Sequence, residues 1–286
     1  MNESGNNSKQ GSFSSRLAVY YGQTVYKKRM TEKHFFLSVG HKQKLACFFY
    51  PPRAKTFPVV VAIHGFSTDH AGNKIQALAH ELPKKGWGVL AFDLRFHGKS
   101  SGKIEEIDVG ANVEDVRAVV SYAFRIPGAE SVSLYGSSYG GMLAIIAAIE
   151  YPMIPLLGLV APVTDFVAQR GITMSQAELE LWKKRGFHER LCADGELHKI
   201  KYQYYVSMQP YHKNLHKMAF KIQSQTLILQ GDADQSVPLK LTKKFYDLLQ
   251  NEKELVVVPG ADHKFSNTVQ YKNLIRRLID FFTENA

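Results

Sequence analysis

Cysteine is scarce in this sequence: Cys47 and Cys192 are the only two in 286 residues. Two cysteines in unrelated contexts predict free thiols in a reducing compartment, not a disulfide framework, and they leave no zinc-type spacing. Long apolar runs are missing as well. No stretch approaches the ~18 uninterrupted apolar residues of a membrane span. The opening segment, "MNESGNNSKQGSFSSR", lacks the apolar centre of a secretory signal. It has almost nothing to bury, so residues 1–30 are expected to form a disordered polar extension. A cytoplasmic address follows as the default expectation.

Acidic residues are in the minority, with 26 Asp and Glu against 36 Lys and Arg, a formal net charge of +10. Such a balance raises nucleic-acid binding as a possibility to test. The basic residues are scattered, however, with Lys-Lys pairs beginning at 27, 84, 183 and 243 and no dense block. No RNA-binding aromatic motif accompanies them, so nucleic acid is not an expected partner. A broadly basic surface is still expected to attract anionic substrates or anionic membranes weakly.

What is present is enough apolar material, 45% of residues, for one large core. From about residue 33 strand-length apolar runs alternate with amphipathic helical segments. "HFFLSV" and "KLACFFY" read as a hairpin. "PVVVAIHG", "WGVLAFD", "SVSLYG", "PLLGLVAP", "TLILQG" and "ELVVVPG" read as strands, with helical stretches such as "NVEDVRAVVSYAF" between them. This rhythm predicts right-handed βαβ units. The expected fold class is α/β, a mostly parallel central sheet with helices on both faces. Residues 31–286 form a single domain in this reading. An interval of about sixty residues, roughly 165–224, breaks the rhythm and is expected to be a cap insertion, since long insertions in α/β domains are seldom slack.

The segment "VSLYGSSYGGM" holds the clearest chemical signal. Gly136 and Gly140 flank Ser138 two positions away on each side, where a strand meets a helix. A nucleophile on so tight a turn needs neighbours without side chains, and the helix start behind it supplies unpaired N–H groups. A nucleophilic serine needs a base, and the base needs an orienting carboxylate. His263, in "VVVPGADHKF", is the only histidine after residue 217. Asp234, in "GDADQSVP", sits further out on its loop than Asp232 and is preferred as the acid; Asp232 is expected to cap the turn, and Asp165 is a third option. The backbone N–H groups of Phe66, in "AIHGF", and of Tyr139 are the expected oxyanion donors.

These motifs resemble the α/β-hydrolase superfamily over about residues 31–286. Gly136 to Gly140 resembles its nucleophile elbow, "HGF" at 64–66 its oxyanion turn, "GDADQSVP" its acid loop and "GADH" its histidine loop. "FDLRFHGKS" is similar to a further family loop but carries Phe96 where glycine is usual, a departure that bears on the site mouth. Within the superfamily the chain looks most like bacterial esterases related to cinnamoyl and feruloyl esterases and monoacylglycerol lipases. The resemblance implies a serine hydrolase with no cofactor and no metal, acting on a small-molecule acyl ester. Thioesterase, acyltransferase and serine aminopeptidase activities use the same triad and remain alternatives, and a non-catalytic binding protein on the same fold is a more distant one. Trp182, Tyr204 and Tyr205, in the aromatic-rich insertion, are expected to contact substrate and to favour short or aromatic acyl groups.

Overall fold

The computed structural model describes residues 32–40 and 42–285; the expected N-terminal extension lies outside them. Strands β1 (Lys33–Val39) and β2 (Gln43–Tyr50) form the antiparallel hairpin at one edge. The remaining sheet strands are β3 (Phe57–Ile63), β4 (Gly88–Phe92), β5 (Ala129–Ser137), β6 (Leu156–Val160), β9 (Gln225–Gly231) and β10 (Lys253–Val258). The eight strands run in the order β1-β2-β4-β3-β5-β6-β9-β10. From β4 to β10 every pairing is parallel, so six strands end on one edge.

The apolar strands are covered on both faces, as their continuous hydrophobicity requires. Alternation along β3 divides the core: Val59, Val61 and Ile63 face one layer, Val60 and Ala62 the other. The first layer packs against α2 (Val109–Ala123), α3 (Tyr139–Glu150) and α7 (Leu239–Leu248). The second packs against α1 (Asn73–Glu81) and α8 (Thr268–Glu284). Ile75, Leu78 and Ala79 of α1, and Leu82 just after it, are buried in that second layer. Fully burying each such aliphatic side chain contributes roughly 1.5–3 kcal/mol. Among the described residues no helix is long and apolar enough to cross a membrane.

Between β6 and β9 the chain forms α4 (Phe166–Thr173), α5 (Gln176–Arg185), a two-stranded hairpin of β7 (Phe187–Leu191) and β8 (Leu197–Lys201), and α6 (Gln203–Met218). The hairpin is absent from the sequence reading, which finds no strand pairing in this interval. Its strands, "FHERL" and "LHKIK", are too polar to register as core strands. Their signal is the turn instead: Asp194-Gly195, with Gly195 at φ 84°, the left-handed geometry that hairpin turns favour. A capping box between Ser175 and Glu178 starts α5, and left-handed Gly186 ends it.

Candidate active site

The elbow after β5 has the geometry its glycines dictate. Ser138 stands between β5 and α3 at φ 56° and ψ −117°, a backbone conformation that L-residues adopt only under constraint. A Cβ on Gly140 would collide with the backbone carbonyls of Ile63 and His64; one on Gly136 would collide with the Gly140 carbonyl and lie 2.8 Å from Ala144 Cβ. Gly140→Ala therefore has to displace β3 or α3. It is expected to cost about 1–3 kcal/mol or more in thermal unfolding, and about 10²-fold in kcat, because a small misplacement of the reacting group is costly. A variant with wild-type melting and turnover would contradict this packing.

Three side chains from three loops meet at the carboxyl edge. His263 Nε2 lies 3.0 Å from Ser138 Oγ, and His263 Nδ1 lies 2.7 Å from Asp234 Oδ2. The Asp234 side chain is fully buried, whereas His263 is 24% exposed. Asp234 Oδ1 accepts the Ser236 and Val237 N–H groups, each at 2.8 Å, and Oδ2 also accepts Gln230 Nε2 at 2.9 Å. A carboxylate holding those donors accepts from Nδ1–H as well. The neutral imidazole then presents a bare Nε2 to the serine hydroxyl.

Asp232 does something different. Its Oδ1 accepts the Gly260 N–H at 2.6 Å and so braces the turn that carries His263. Asp165 caps α4 by accepting the Ala168 N–H. Gln230 escapes the sequence reading. It donates to Asp234 and to the Val237 carbonyl while accepting from Thr242 Oγ1, so it fixes the acid loop from below. The signal for it was a lone polar residue at the end of the apolar run "TLILQ".

The turn after β3 abuts the elbow. A Cβ on Gly65 would stand 3.6 Å from Ser138 Cβ. Among the described residues neither the Phe66 nor the Tyr139 N–H has a backbone acceptor, and Tyr139 is the first residue of α3, where N–H groups have no intrahelical partner. His64 Nε2 accepts the Leu94 N–H at 2.9 Å and its Nδ1–H donates to the Gly65 carbonyl. It thus ties the turn to the loop after β4, and burial lowers its pKa so that it stays neutral. Asp93 accepts from His70 and Lys99, and Arg95 from that same loop pairs with buried Asp115. Phe96 adopts φ 73°, the conformation for which glycine is usual, and its ring packs where a side chain on Gly102 would have to go. His97 is held down near pKa 3 by burial, and its Nε2 has no partner among the described residues.

The cap reaches this edge through aromatic rings. Tyr204, almost fully buried, lies 5.3 Å from the Phe66 ring, 6.1 Å from Tyr139 and 5.6 Å from Phe166 between centroids. Trp182 is pinned inside the cap, its Nε1–H donating to the Ile200 carbonyl at 2.9 Å. Tyr205 stacks on Tyr202 and meets Trp182 and Phe166. Of the three rings expected to meet substrate, Tyr204 stands against Phe66 and Tyr139; Trp182 and Tyr205 pack within the cap, where Trp182 also lines a small cavity with Phe66 and Tyr204. A cleft of about 600 Å³ opens between the β7–β8 hairpin and the loops after β3 and β4, lined among others by Ser67, Phe96, His97, Cys192 and His198. Both cysteines are free.

Among the described residues, Asp194, Glu196 and His198 bring potential metal-ligand atoms within 4.8 Å of one another. Both nitrogens of His198 already meet carboxylates, Glu105 at 2.9 Å and Asp194 at 2.7 Å, and these hydrogen bonds raise its pKa. The group ties the cap hairpin to the loop at Glu105.

The profile of the Hydrolase_4 family, described as serine aminopeptidase, S33, matches residues 54–198. The chain is 24% identical over 226 residues to the mitochondrial palmitoyl-protein thioesterase ABHD10 of Bos taurus, covering 78% of this chain and 72% of that protein. Its fold is similar to that of Est1E from Butyrivibrio proteoclasticus, solved with ferulic acid bound, at TM-score 0.75 and 23% identity over 88% of this chain and 98% of that one. The monoacylglycerol lipase of Paleococcus ferrophilus matches at TM-score 0.67 and 21% identity, over 85% and 99% of the two chains.

Proposed function

The chain belongs to the Hydrolase_4 (serine aminopeptidase, S33) family and is a serine hydrolase of the α/β-hydrolase superfamily; from that premise we propose that it hydrolyses carboxylic esters of short or aromatic acids. Ser138 Oγ attacks the acyl carbon while its proton passes to His263 Nε2. Asp234 orients the imidazole and stabilises its positive charge. The Phe66 and Tyr139 N–H groups bind the developing oxyanion. His263 returns the proton to the leaving alcohol, then deprotonates a water that releases the acid and frees Ser138.

The observation that carries this reading is the continuous hydrogen-bonded relay from Asp234 through His263 to Ser138, at 2.7 Å and 3.0 Å, on a strained turn at the sheet's carboxyl edge. Ester is favoured over aminopeptidase chemistry because three of the cap's acidic side chains have other work and two more, Glu189 and Glu196, are exposed on the hairpin. Glu178 accepts the Ser175 N–H, Glu180 accepts from Gln176, and Asp194 meets His198. A substrate ammonium near Tyr204 would face Arg170 and Arg190 instead.

A fluorophosphonate probe is expected to label the wild type and not Ser138→Ala; failure to label folded wild-type protein would indicate a non-catalytic protein. A panel of p-nitrophenyl esters of graded length, a hydroxycinnamoyl ester, a monoacylglycerol, an acyl-CoA and an aminoacyl anilide then sorts the substrates. Short and aromatic esters are expected to lead in kcat/KM, with a sharp drop once the acyl chain outgrows the space beneath Tyr204. Each fitting methylene gains at most ~1–3 kcal/mol. A steady rise to long chains would indicate an open groove instead, and a lead for acyl-CoA would move the assignment to thioesters.

A further inference from the structure

The underside of the cap carries two arginines without an acidic counterpart. Arg95, Arg117 and Arg277 each pair with a carboxylate. Arg170 on α4 and Arg190 on β7 have no carboxylate partner among the described residues. The guanidinium of Arg170 lies 5.0 Å from the Phe166 ring and lines the same cavity as Tyr204. Its Nε is enclosed and has no hydrogen-bond partner among the described residues. Arg190 lies over the Phe66 ring, 4.5 Å from its centroid. Both line one small cavity with Phe66, Trp182, His188 and Tyr204.

Burial, and after it the charge of Arg190, hold the Arg170 guanidinium below its ordinary pKa, and keeping it charged there is an expensive arrangement for a fold. Aromatic faces offset part of that cost, yet they leave the Arg170 Nε–H without an acceptor. His188 adds no negative charge. It lies within the field of both arginines, and burial together with those two charges lowers its pKa, against the pull of Glu178 and Glu189. Glu178 is engaged in the start of α5, and Glu189 is exposed. Among the described residues nothing supplies the matching negative charge, and the cavity is left with a place for an anion.

Its position indicates which anion. The Phe66 ring is the shared wall: on one side it closes this cavity, and on the other its own residue forms the turn against Ser138. Tyr204, a second wall, reaches Tyr139, the residue after Ser138. The cavity is about 10 Å³, room for one water-sized group. A free multi-atom anion does not fit, but one oxygen at the end of a longer ligand does. Guanidinium forks match carboxylate oxygens in geometry and charge.

We propose that Arg170 and Arg190 form an anion subsite beneath the cap, and that the physiological substrates are esters bearing a free carboxylate on the part that lies there. The substrate class rests on the ester-hydrolase reading; the subsite itself does not.

Binding without turnover separates the two. Ser138→Ala protein is titrated by calorimetry with ethyl hydrogen glutarate, a half-ester with a free carboxylate, and with its neutral amide isostere, ethyl glutaramate. The charged ester is expected to bind at least about tenfold more tightly. Adding Arg190→Met should bring the ratio close to one, and adding Arg190→Lys should restore part of it. Arg190 is half-exposed, so both changes are compatible with folding. Acetate and inorganic phosphate at matched ionic strength form a further arm. Equal binding of the two esters, no binding of either, or a ratio unchanged in Arg190→Met overturns the subsite. Acetate or phosphate binding as tightly as the half-ester overturns the substrate class and leaves a site for free anions. Failure of the wild type to react with fluorophosphonate refutes the hydrolase mechanism alone.

Discussion

Ser138→Ala and His263→Ala are each expected to lower kcat by roughly 10⁴ or more, with Asp234→Asn somewhat less severe. In the proposed mechanism the hydroxyl and the imidazole take part directly in bond making and proton transfer, so no neighbour replaces them. In that mechanism the carboxylate acts by holding the His263 tautomer. An amide at position 234 offers the ring an N–H where an acceptor is needed, and it disturbs the two backbone donors at Ser236 and Val237. Asp232→Asn is expected to be mild, because its contact to the Gly260 N–H is kept by an amide oxygen. Steady-state hydrolysis of p-nitrophenyl acetate by the four variants decides the assignment. A crippled Asp232→Asn beside a near-normal Asp234→Asn would move the acid to position 232.

The second large effect falls on stability. Asp115→Ala is expected to destabilise the fold by about 3–5 kcal/mol, the usual cost of removing one partner from a buried ion pair. Asp115 is fully buried. It accepts the Arg95 backbone N–H at 2.8 Å, Arg95 Nε at 2.5 Å and Asn112 Nδ2 at 3.1 Å. Burial pushes its carboxyl up to about 6, against the attraction of Arg95; at pH 7 it is still mostly charged. Without it, Arg95 keeps only Glu114, Gln43 and the Ala111 carbonyl at its outer edge. Melting at pH 7 should drop by about 10 °C. The double change Arg95→Met with Asp115→Leu should recover much of the loss, since replacing both ions by apolar groups is often neutral. A single variant melting within 2 °C of wild type, roughly 1 kcal/mol, would contradict the pair's importance.

The parallel sheet was legible because its strands are buried on both faces, so "PVVVAIHG" and "TLILQG" read as unbroken apolar runs bounded by glycine. The candidates Ser138 and His263 stood out for a related reason: reactive groups in such sheets follow strand ends, few residues of the right type stand there, and the fold brings these two within 3.0 Å. The cap was much less so. Its hairpin alternates polar residues and hides its pairing in an Asp-Gly turn. The separate duties of Trp182, Tyr204 and Tyr205 depend on which way each ring points, and spacing does not state that. Arg170 and Arg190 lie twenty residues apart in a mixed-charge stretch, where each reads as an ordinary surface cation. Only the fold of the cap puts them at one cavity, and what distinguishes them from Arg95 is that no carboxylate among the described residues meets them there.

The chemistry is divided along the chain. The proposed nucleophile and both oxyanion donors are complete by residue 139; the acid and base begin at residue 234, and Ser138 and His263 are 125 positions apart. The cap is the covalent bridge between these halves. A single proteolytic nick in the β7–β8 hairpin would leave the proton relay spanning two separate polypeptides. Across the sheet they would be joined by the backbone ladder of β6 and β9, from the Leu156–Gln225 pair to Val160–Leu229. That ladder lies in the buried centre of the sheet, so the two pieces would stay registered at the interior and come loose first at the cap.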